Sequence, residues 1–513
     1  MESPFRGLGG VIFMGIVIRQ SIRGSIVNYI GAFVGFLTTM FVVTKFVTPE
    51  DIGLLNVMLG VALLFSALMQ MGTSSSIVRF FPYFKDKKKK HNGFFFYIVA
   101  LPFVGSLIFI PLYLILKEPI VAFFGRESEL FTAYFYWVIP LIFFLAYWSV
   151  FENYSNANMR IVIPKTAREV IIRLLLIAVY LLYGYHIINR DGFVSLFILA
   201  HGVVMLVMLF YISRIAPISL KHDISFINKP LRKNISNYTL ILMLGTMGSA
   251  ILTHLGVFMV SSELGFGLAG IYIIATHMGT IIEIPSRSIT AISSPIAAAA
   301  FQKGDVNEAN RLYKKVSLNQ LIAGGLIFVL LWINIDNIFK IIPNGDVFVQ
   351  GKWVVFFIGL ARLVGMTLNF GEVLIRFSKY YRWTIFFTFV VATVGIVANY
   401  LLIPKLGIKG AAIATLSTVL LSCAFQQWIV FKKLKGNPYT KGTLKMILIL
   451  LVLFAINYLL PTFANVLIDI VFRSSIVGII AVSAIYFGKV SEHMNELIRD
   501  VVRKINNRKY EWK

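Results

Sequence analysis

The sequence predicts an all-α, polytopic membrane protein with about 14 transmembrane helices, arranged as two parallel-repeat six-helix lobes plus two C-terminal helices. Three observations predict this fold: the composition, the number of long apolar stretches and an internal repeat. Of the 513 residues, 58% are hydrophobic and only 14% are charged, and the mean hydropathy is +0.81. Soluble domains carry about 25% charged residues. The composition therefore predicts an integral membrane protein without a sizeable soluble domain.

Long apolar stretches mark the predicted spans, because a helix needs about 20 apolar residues to cross the hydrocarbon core. In chain order these stretches are 25–46, 53–78, 93–116, 130–150, 169–188, 192–213, 239–260, 269–294, 316–335, 351–375, 384–403, 410–430, 446–460 and 472–488. The N-terminal segment GLGGVIFMGIVI is too short to span and shows no signal-peptide cleavage site. We expect it to lie in the membrane interface, and Met14 is an alternative start.

The basic residues predict the orientation. With the N-terminus in the cytoplasm, most of the 48 Lys and Arg residues fall in connections on the cytoplasmic side. We therefore expect both termini to be cytoplasmic. The net charge of +25 is then a topology signal, so no nucleic-acid partner is needed. The run KDKKKK (85–90) is either a solvated loop or a contact with anionic membrane lipids.

An internal repeat divides the chain. Residues 52–84 align without a gap on residues 269–301 at an offset of 217, which pairs Gly53 with Gly270. Six predicted spans separate the two copies, and an even number of spans preserves orientation, so the repeats are parallel. The predicted domains are an N-terminal lobe at 1–238, a C-terminal lobe at 239–438, and two further spans with a cytoplasmic tail at 439–513.

Two motifs resemble a known family. VTPEDIGLLNV (47–57) follows the first span, and residues 372–420 contain N-x-L-L-I-P-x-x-G-I-x-G-A-A-I-A-T from Asn399 to Thr415. Both resemble motifs of the polysaccharide biosynthesis flippases, the Wzx-like branch of the multidrug/oligosaccharidyl-lipid/polysaccharide exporter superfamily. We interpret the second motif as a helical hairpin, broken at Pro404 and Gly407 and followed by a small-residue helix face.

The resemblance implies a function. Its members move undecaprenyl-diphosphate-linked oligosaccharides across the bacterial cytoplasmic membrane, through a central cavity that faces each side alternately. It implies a multi-pass flippase for surface polysaccharide such as the O-antigen of lipopolysaccharide. The implied partners are the lipid-linked glycan, membrane lipids, H⁺ or Na⁺ as coupling ion, and the polysaccharide polymerase machinery.

Three arginines are the predicted ligands of a diphosphate, because the guanidinium group binds phosphate oxygens in a bidentate manner and stays charged. They are Arg362 near the middle of its span, Arg287 in the inner half of its span, and Arg173 near the cytoplasmic end of its span. Glu283 and Glu372 are the predicted coupling or ion-pair carboxylates. Alternatively, each arginine forms a structural ion pair or extends to the membrane surface.

The spacing of these charges predicts two ion pairs, Glu169–Arg173 and Glu283–Arg287, because residues four apart share a helix face. Either each pair lowers the cost of inserting its own charges, or substrate phosphate competes with the carboxylate for the arginine. Pro285 between the partners is expected to leave the carbonyl group of Ile281 without its helical donor, as in a wet cavity.

No enzyme motif occurs in the sequence. There is no P-loop, nucleophile elbow, HExxH motif or acidic metal cluster, and the single Cys423 excludes an internal disulfide. We therefore expect no catalytic activity, metal or cofactor. The alternatives are a cation-coupled multidrug or metabolite exporter, a lipid II flippase, and a glycan polymerase or ligase. The absence of a deep acid from the predicted first-lobe spans argues against the exporter, and the short outer loops argue against the polymerase.

Overall fold

The computed structural model describes residues 24–499, apart from residues 25, 87–89, 126–127, 217–218, 220–228, 381, 493 and 497–498. The N-terminal apolar segment, Met14 and residues 87–89 of the KDKKKK run lie outside the described residues. Within the described ranges the chain forms helices and turns, with no strand. It divides into two compact units, Met1–Ile273 and Ile274–Lys513.

The first unit consists of long helices joined by short connections. Helix α7 runs from Val162 to Gly184 and contains a π-helical turn, Ala167–Ile171. The other helices are α1 (Ile26–Phe46), α2 (Pro49–Met69), α3 (Thr73–Phe84), α4 (Phe94–Ile115), α5 (Lys117–Phe123), α6 (Glu129–Ala157), α8 (Arg190–Ile215) and α9 (Lys229–Leu264).

Helix α10 (Phe266–Thr280) begins in the first unit and ends in the second. The second unit continues with α11 (Ile284–Gln302), α12 (Val306–Ile333), α13 (Ile335–Ile341), α14 (Gly345–Phe348), α15 (Lys352–Leu368), α16 (Phe370–Phe377), α17 (Arg382–Leu406), α18 (Ile408–Leu434), α19 (Lys441–Ile456) and α20 (Val466–Phe487).

Thirteen helical stretches in the described residues are long and apolar enough to cross a membrane. They correspond to thirteen of the fourteen predicted spans. The remaining prediction, 169–188, falls on α7, which is helical and carries Glu169 and Arg173 within this stretch and Arg168 just before it. The prediction of an all-α polytopic fold is confirmed.

The second predicted span is not one continuous helix. Helix α2 ends at Met69 and α3 begins at Thr73, because Met71 and Gly72 adopt left-handed conformations with φ of 47° and 73°. Gly72 also lies close to α9, since a Cβ atom there would be 2.2 Å from the carbonyl oxygen of Thr239. The expectation of one helix over 53–78 is therefore wrong at this point.

The 47–57 motif anchors the start of α2. The Thr48 hydroxyl accepts a hydrogen bond from the backbone N–H of Asp51 at 3.2 Å, and Pro49 occupies the first turn. The buried Asp51 carboxylate accepts a hydrogen bond from the Tyr183 hydroxyl at 2.8 Å and lies 2.8 Å from Nε of Arg190. These contacts join α2 to the end of α7 and the start of α8.

Two glycines let α2 and α10 touch through their backbones. A Cβ atom on Gly53 would lie 2.1 Å from the carbonyl oxygen of Phe266, and one on Gly270 would lie 1.9 Å from that of Pro49. Because Pro49 aligns with Phe266 at the repeat offset, each contact is the repeat equivalent of the other. All four residues belong to the first unit.

The 399–415 motif forms the hairpin that the sequence predicts. Helix α17 ends at Leu406, and Gly407 adopts φ 60° and ψ −142°, a conformation essentially restricted to glycine. A Cβ atom on Gly410 would lie 2.2 Å from the carbonyl oxygen of Leu402, so the helices meet closely. Pro404 lies inside α17, so the chain breaks at Gly407 alone.

A buried polar cluster joins α20 to α13 and to the residues that follow α19. Arg473 and Asp469 form an ion pair at 2.9 Å with only 8% and 4% of their side chains exposed. Arg473 also donates to the side-chain oxygen of Asn457 at 2.9 Å and to the carbonyl oxygen of Pro461 at 3.2 Å. Asn337 donates to the Asp469 carboxylate. The two C-terminal helices are thereby fixed to α13.

Candidate functional site

A cleft of about 360 Å³ opens in the second unit between α11, α15, α16 and α18. Ligand pockets usually occupy roughly 300–1,000 Å³, so a small polar ligand would fill it. Two glutamates, two arginines, three hydroxyl groups and one amide reach it. Its lining is Glu283, Ser286, Thr290, Ser294, Ala361, Arg362, Gly365, Met366, Asn369, Phe370, Glu372, Val373, Arg376, Phe377 and Val419.

Glu283 is positioned by a 3₁₀ turn, Ile281–Glu283, that joins α10 to α11. Nη1 of Arg362 donates a hydrogen bond to its Oε2 at 3.1 Å, and 40% of the arginine and 38% of the glutamate side chain are exposed. The predicted Glu283–Arg287 pair is wrong, because the 3₁₀ turn changes the winding just before α11. Glu283 consequently faces α15 instead of the next turn of its own helix.

The carbonyl group of Ile281 is not free, contrary to the expectation from Pro285. The backbone N–H of Ile284 donates to it and closes the 3₁₀ turn. Pro285 then occupies the first turn of α11, where a missing N–H group costs nothing. The proline therefore starts a helix at this point.

Glu372 lines the same cleft from α16. It accepts a hydrogen bond from Nη2 of Arg376 at 2.6 Å, along its own helix. Arg376 was not among the predicted site residues, because the sequence places it at the start of a cytoplasmic connection. Since α16 continues to Phe377, Arg376 is part of the cleft.

Arg287 does not line the cleft. It is an exposed residue of α11, next to Ser286, and it forms no ion pair within the described part of the chain. Its helical stretch, Phe266–Phe301, is one of the candidate spans. Arg287 is therefore a cation within a membrane-spanning stretch.

Arg173 lies in the first unit and is packed against α1. Its Nη2 donates to Oε2 of Glu169 at 2.9 Å, as the spacing predicts. A Cβ atom on Gly35 would lie 2.0 Å from Nη1 of Arg173, and one on Gly31 would lie 2.4 Å from Cβ of Glu169. The two glycines form a notch that accommodates this ion pair, and Arg173 is not part of the cleft.

The first unit also contains two acids that lie outside the predicted spans. Helix α6 continues to Ala157 and includes Glu152, which is largely buried and lies 3.5 Å from Arg168. Asp51 is buried in the first turn of α2. Both acids lie near the ends of their helices, beyond the predicted apolar stretches, so the absence of a deep acid from the first-lobe spans stays a prediction.

A row of hydroxyl groups along α11 was also missed. Ser286, Thr290 and Ser294 are spaced four residues apart and line the cleft together. That spacing, inside an apolar span, was a detectable signal for one polar helix face. Asn369, at the junction of α15 and α16, completes the polar lining.

Comparison with known proteins identifies a family and a fold. The model of the polysaccharide biosynthesis protein family matches residues 17–296. The uncharacterized membrane protein MJ1068 of Methanocaldococcus jannaschii is 24% identical over 463 residues, which cover 85% of this chain and 87% of the relative.

Two solved structures share the fold. The lipid II flippase MurJ, in an inward closed conformation, matches with a TM-score of 0.73 over 92% of this chain and 100% of its own, at 15% identity. An inward-facing MATE family transporter of the MOP superfamily matches with a TM-score of 0.61 over 80% of this chain and 98% of its own, also at 15% identity. The chain is a polytopic membrane protein of the polysaccharide biosynthesis protein family, with the fold of these transporters.

Proposed function

We propose that this protein moves undecaprenyl-diphosphate-linked oligosaccharide units from the inner to the outer leaflet of the bacterial cytoplasmic membrane, for surface polysaccharide synthesis. The observation that carries the proposal is the cleft of the second unit, where two partly exposed Glu–Arg pairs lie beside a row of hydroxyl groups. Sugars and diphosphate cannot cross hydrocarbon unaided, so a carrier must offer polar and cationic groups at depth.

The ion pairs are suited to exchange. A diphosphate carries more charge than a carboxylate and accepts two parallel hydrogen bonds from one guanidinium group. It can therefore displace Glu283 from Arg362, and Glu372 from Arg376. Arg287, which has no protein partner to displace among the described residues, can bind the same headgroup. Arg173 is held by α1 and supports the first unit.

A displaced glutamate can bind the coupling ion of the transport cycle. Once Glu283 or Glu372 is released from its arginine, it can bind H⁺ or Na⁺. Moving one charge through 100 mV corresponds to about 2.3 kcal/mol, enough to bias the direction of transport. The lipid tail stays in the bilayer while the cavity opens alternately to the two sides of the membrane. The polymerase machinery receives the product on the outer side. Both termini are cytoplasmic in this arrangement.

The proposal is tested by deleting the gene and by reconstitution. Deletion should abolish one surface polysaccharide and cause its lipid-linked unit to accumulate. Purified protein in proteoliposomes should make that unit accessible to a glycosidase added outside. Normal surface glycans together with altered drug sensitivity would overturn the proposal.

A cation-coupled exporter is the second candidate, because Glu152 and Asp51 provide acids in the first unit. Drug efflux driven by a proton or sodium gradient in proteoliposomes, without any flipping of lipid-linked glycan, would establish it. Accumulation of lipid II on deletion would instead favour the lipid II flippase.

A further inference from the structure

Gln320 of α12 is a buried amide behind the hydroxyl row of α11, with 1% of its surface exposed. Its Nε2 donates to the Ser286 hydroxyl at 3.2 Å and to the Thr290 hydroxyl at 3.1 Å. A buried amide is costly unless it is hydrogen-bonded. The three side chains therefore form one hydrogen-bonded group. Gln320 determines whether the two hydroxyl groups donate or accept within it.

The amide has a preferred orientation. With Nε2 toward the hydroxyls, both of its protons are used and only the carbonyl Oε1 lacks a protein partner. The opposite orientation would leave both N–H protons buried without an acceptor. Unpaired buried N–H groups are rarer than under-satisfied carbonyl groups. Gln320 is therefore the donor to both hydroxyls.

Each hydroxyl that accepts a hydrogen bond still has one proton to donate. Within the described residues, neither Ser286 nor Thr290 donates that proton to a protein group. Ser294 differs, because its hydroxyl donates to the backbone oxygen of Thr290 at 2.8 Å. The cleft thus presents two O–H donors on the same lining as the Arg362 guanidinium.

We propose that Gln320 is a positioning residue that makes Ser286 and Thr290 hydrogen-bond donors, and that these hydroxyls with Arg362 form a cradle for a diphosphate. Phosphate oxygens are strong acceptors and match a set of donors. The cradle can exist without transport, but its assignment to a diphosphate rests on the proposed function. Under that function, Ser286 and Thr290 bind the phosphate oxygens beside the arginine.

The test is a calorimetric titration that measures the binding of inorganic pyrophosphate to the full-length protein in detergent. Thr290→Val and Ser286→Ala each remove one donor, and we expect each to weaken binding about tenfold to a hundredfold. Thr290→Ser keeps the hydroxyl group and should restore binding to near the wild-type value. Ser417→Ala in α18 is the matched control, because its hydroxyl donates to the backbone oxygen of Ile413 and it does not line the cleft.

Gln320→Glu tests the positioning role. A carboxylate accepts hydrogen bonds only, so the two hydroxyls would turn their protons inward and lose them as donors to the anion. We expect pyrophosphate binding to weaken at least tenfold, and the thermal midpoint of the variant to fall because a buried carboxylate is costly. If this variant does not fold, the comparison of Thr290→Val with Thr290→Ser decides.

Three results would overturn the cradle or its assignment. Equal pyrophosphate affinity in wild type, Thr290→Val and Ser286→Ala would exclude the hydroxyl donors, and equal weakening by Ser417→Ala would exclude their specific role. Competition by phosphatidylglycerol micelles that also depends on Thr290 would assign the cradle to a phospholipid headgroup. Thr290-dependent pyrophosphate binding in a protein that flips no lipid-linked glycan would support the cradle and overturn the proposed function.

Discussion

Two kinds of ion pair occur in the second unit, and their exposure separates their roles. Glu283–Arg362 is about 40% exposed and lines a cleft, so an anionic ligand can reach the arginine. Asp469–Arg473 is almost completely buried and is held by further hydrogen bonds to Asn337 and Asn457. The first ion pair can therefore separate to bind a ligand, whereas the second holds α20 against α13.

Replacement of Arg362 by Ala should reduce transport of lipid-linked glycan in proteoliposomes by at least tenfold, because a charge-assisted hydrogen bond contributes about 1.5–3 kcal/mol. Asp336→Asn is the control. It opens the exposed Asp336–Lys352 pair at 2.6 Å, away from the cleft. Full transport by Arg362→Ala at wild-type membrane levels would remove this arginine from the site.

Replacement of Glu283 by Gln should lower both the KM and the maximal rate of transport. Arg362 would lose its charged partner, so the anion would bind with less competition and leave more slowly. We expect a lower KM together with a lower maximal rate in proteoliposomes. A higher KM would mean that Glu283 contributes to binding and does not compete with the substrate.

Replacement of Arg473 by Ala should destabilise the protein, since removing one partner of a buried pair costs about 3–5 kcal/mol. Thermal unfolding in detergent measures this loss, with Asp336→Asn again as the exposed control. If Arg473→Ala lowered the unfolding temperature no more than Asp336→Asn does, water would be replacing the hydrogen bonds of the arginine.

At the scale of helices, glycine determines how closely two backbones approach. Gly53, Gly270 and Gly410 each lie where a Cβ atom would be 1.9–2.2 Å from a backbone carbonyl oxygen. A carbonyl group cannot rotate away as a flexible side chain can. The helices themselves must therefore separate if such a glycine is replaced.

Gly53→Ala should lower the free energy of unfolding by about 1–3 kcal/mol, the usual cost of overpacking. Gly245→Ala in α9 is the matched control, because nothing lies within 4 Å of its added Cβ atom. It should be neutral or stabilising by up to about 1 kcal/mol, from helix propensity alone. Equal unfolding midpoints for the two variants would contradict the close approach of α2 and α10.

At the scale of the whole molecule, the orientation is still a prediction. Cys423 is the single cysteine and is buried, so Cys423→Ala gives a background without a reactive thiol. In that background, Asp346→Cys should react with an impermeant maleimide in intact cells, and Lys433→Cys only after lysis. The reverse pattern would place both termini outside.

Much of the fold could be predicted from the sequence, because each span is a long apolar stretch and composition alone identifies it. The break at Gly407 was also predicted, but the breaks inside predicted spans were not. The 3₁₀ turn at Ile281–Glu283 lies in continuous apolar sequence, and it changes the partner of Glu283 from Arg287 to Arg362. Sequence spacing predicts partners along one helix, as for Glu169–Arg173, but contains no information on which second helix packs beside it.

The reciprocal contact of Gly53 with Phe266 and Gly270 with Pro49 has a consequence for the ancestry of the chain. In a symmetric dimer, residue i of one copy touches residue j of the other, and j touches i. Duplication and fusion of a gene encoding such a dimer would leave this exchange inside one polypeptide. The repeats have few other identities, yet both keep glycine here. A substitution at either glycine would therefore disturb one of two equivalent contacts between the same pair of helices.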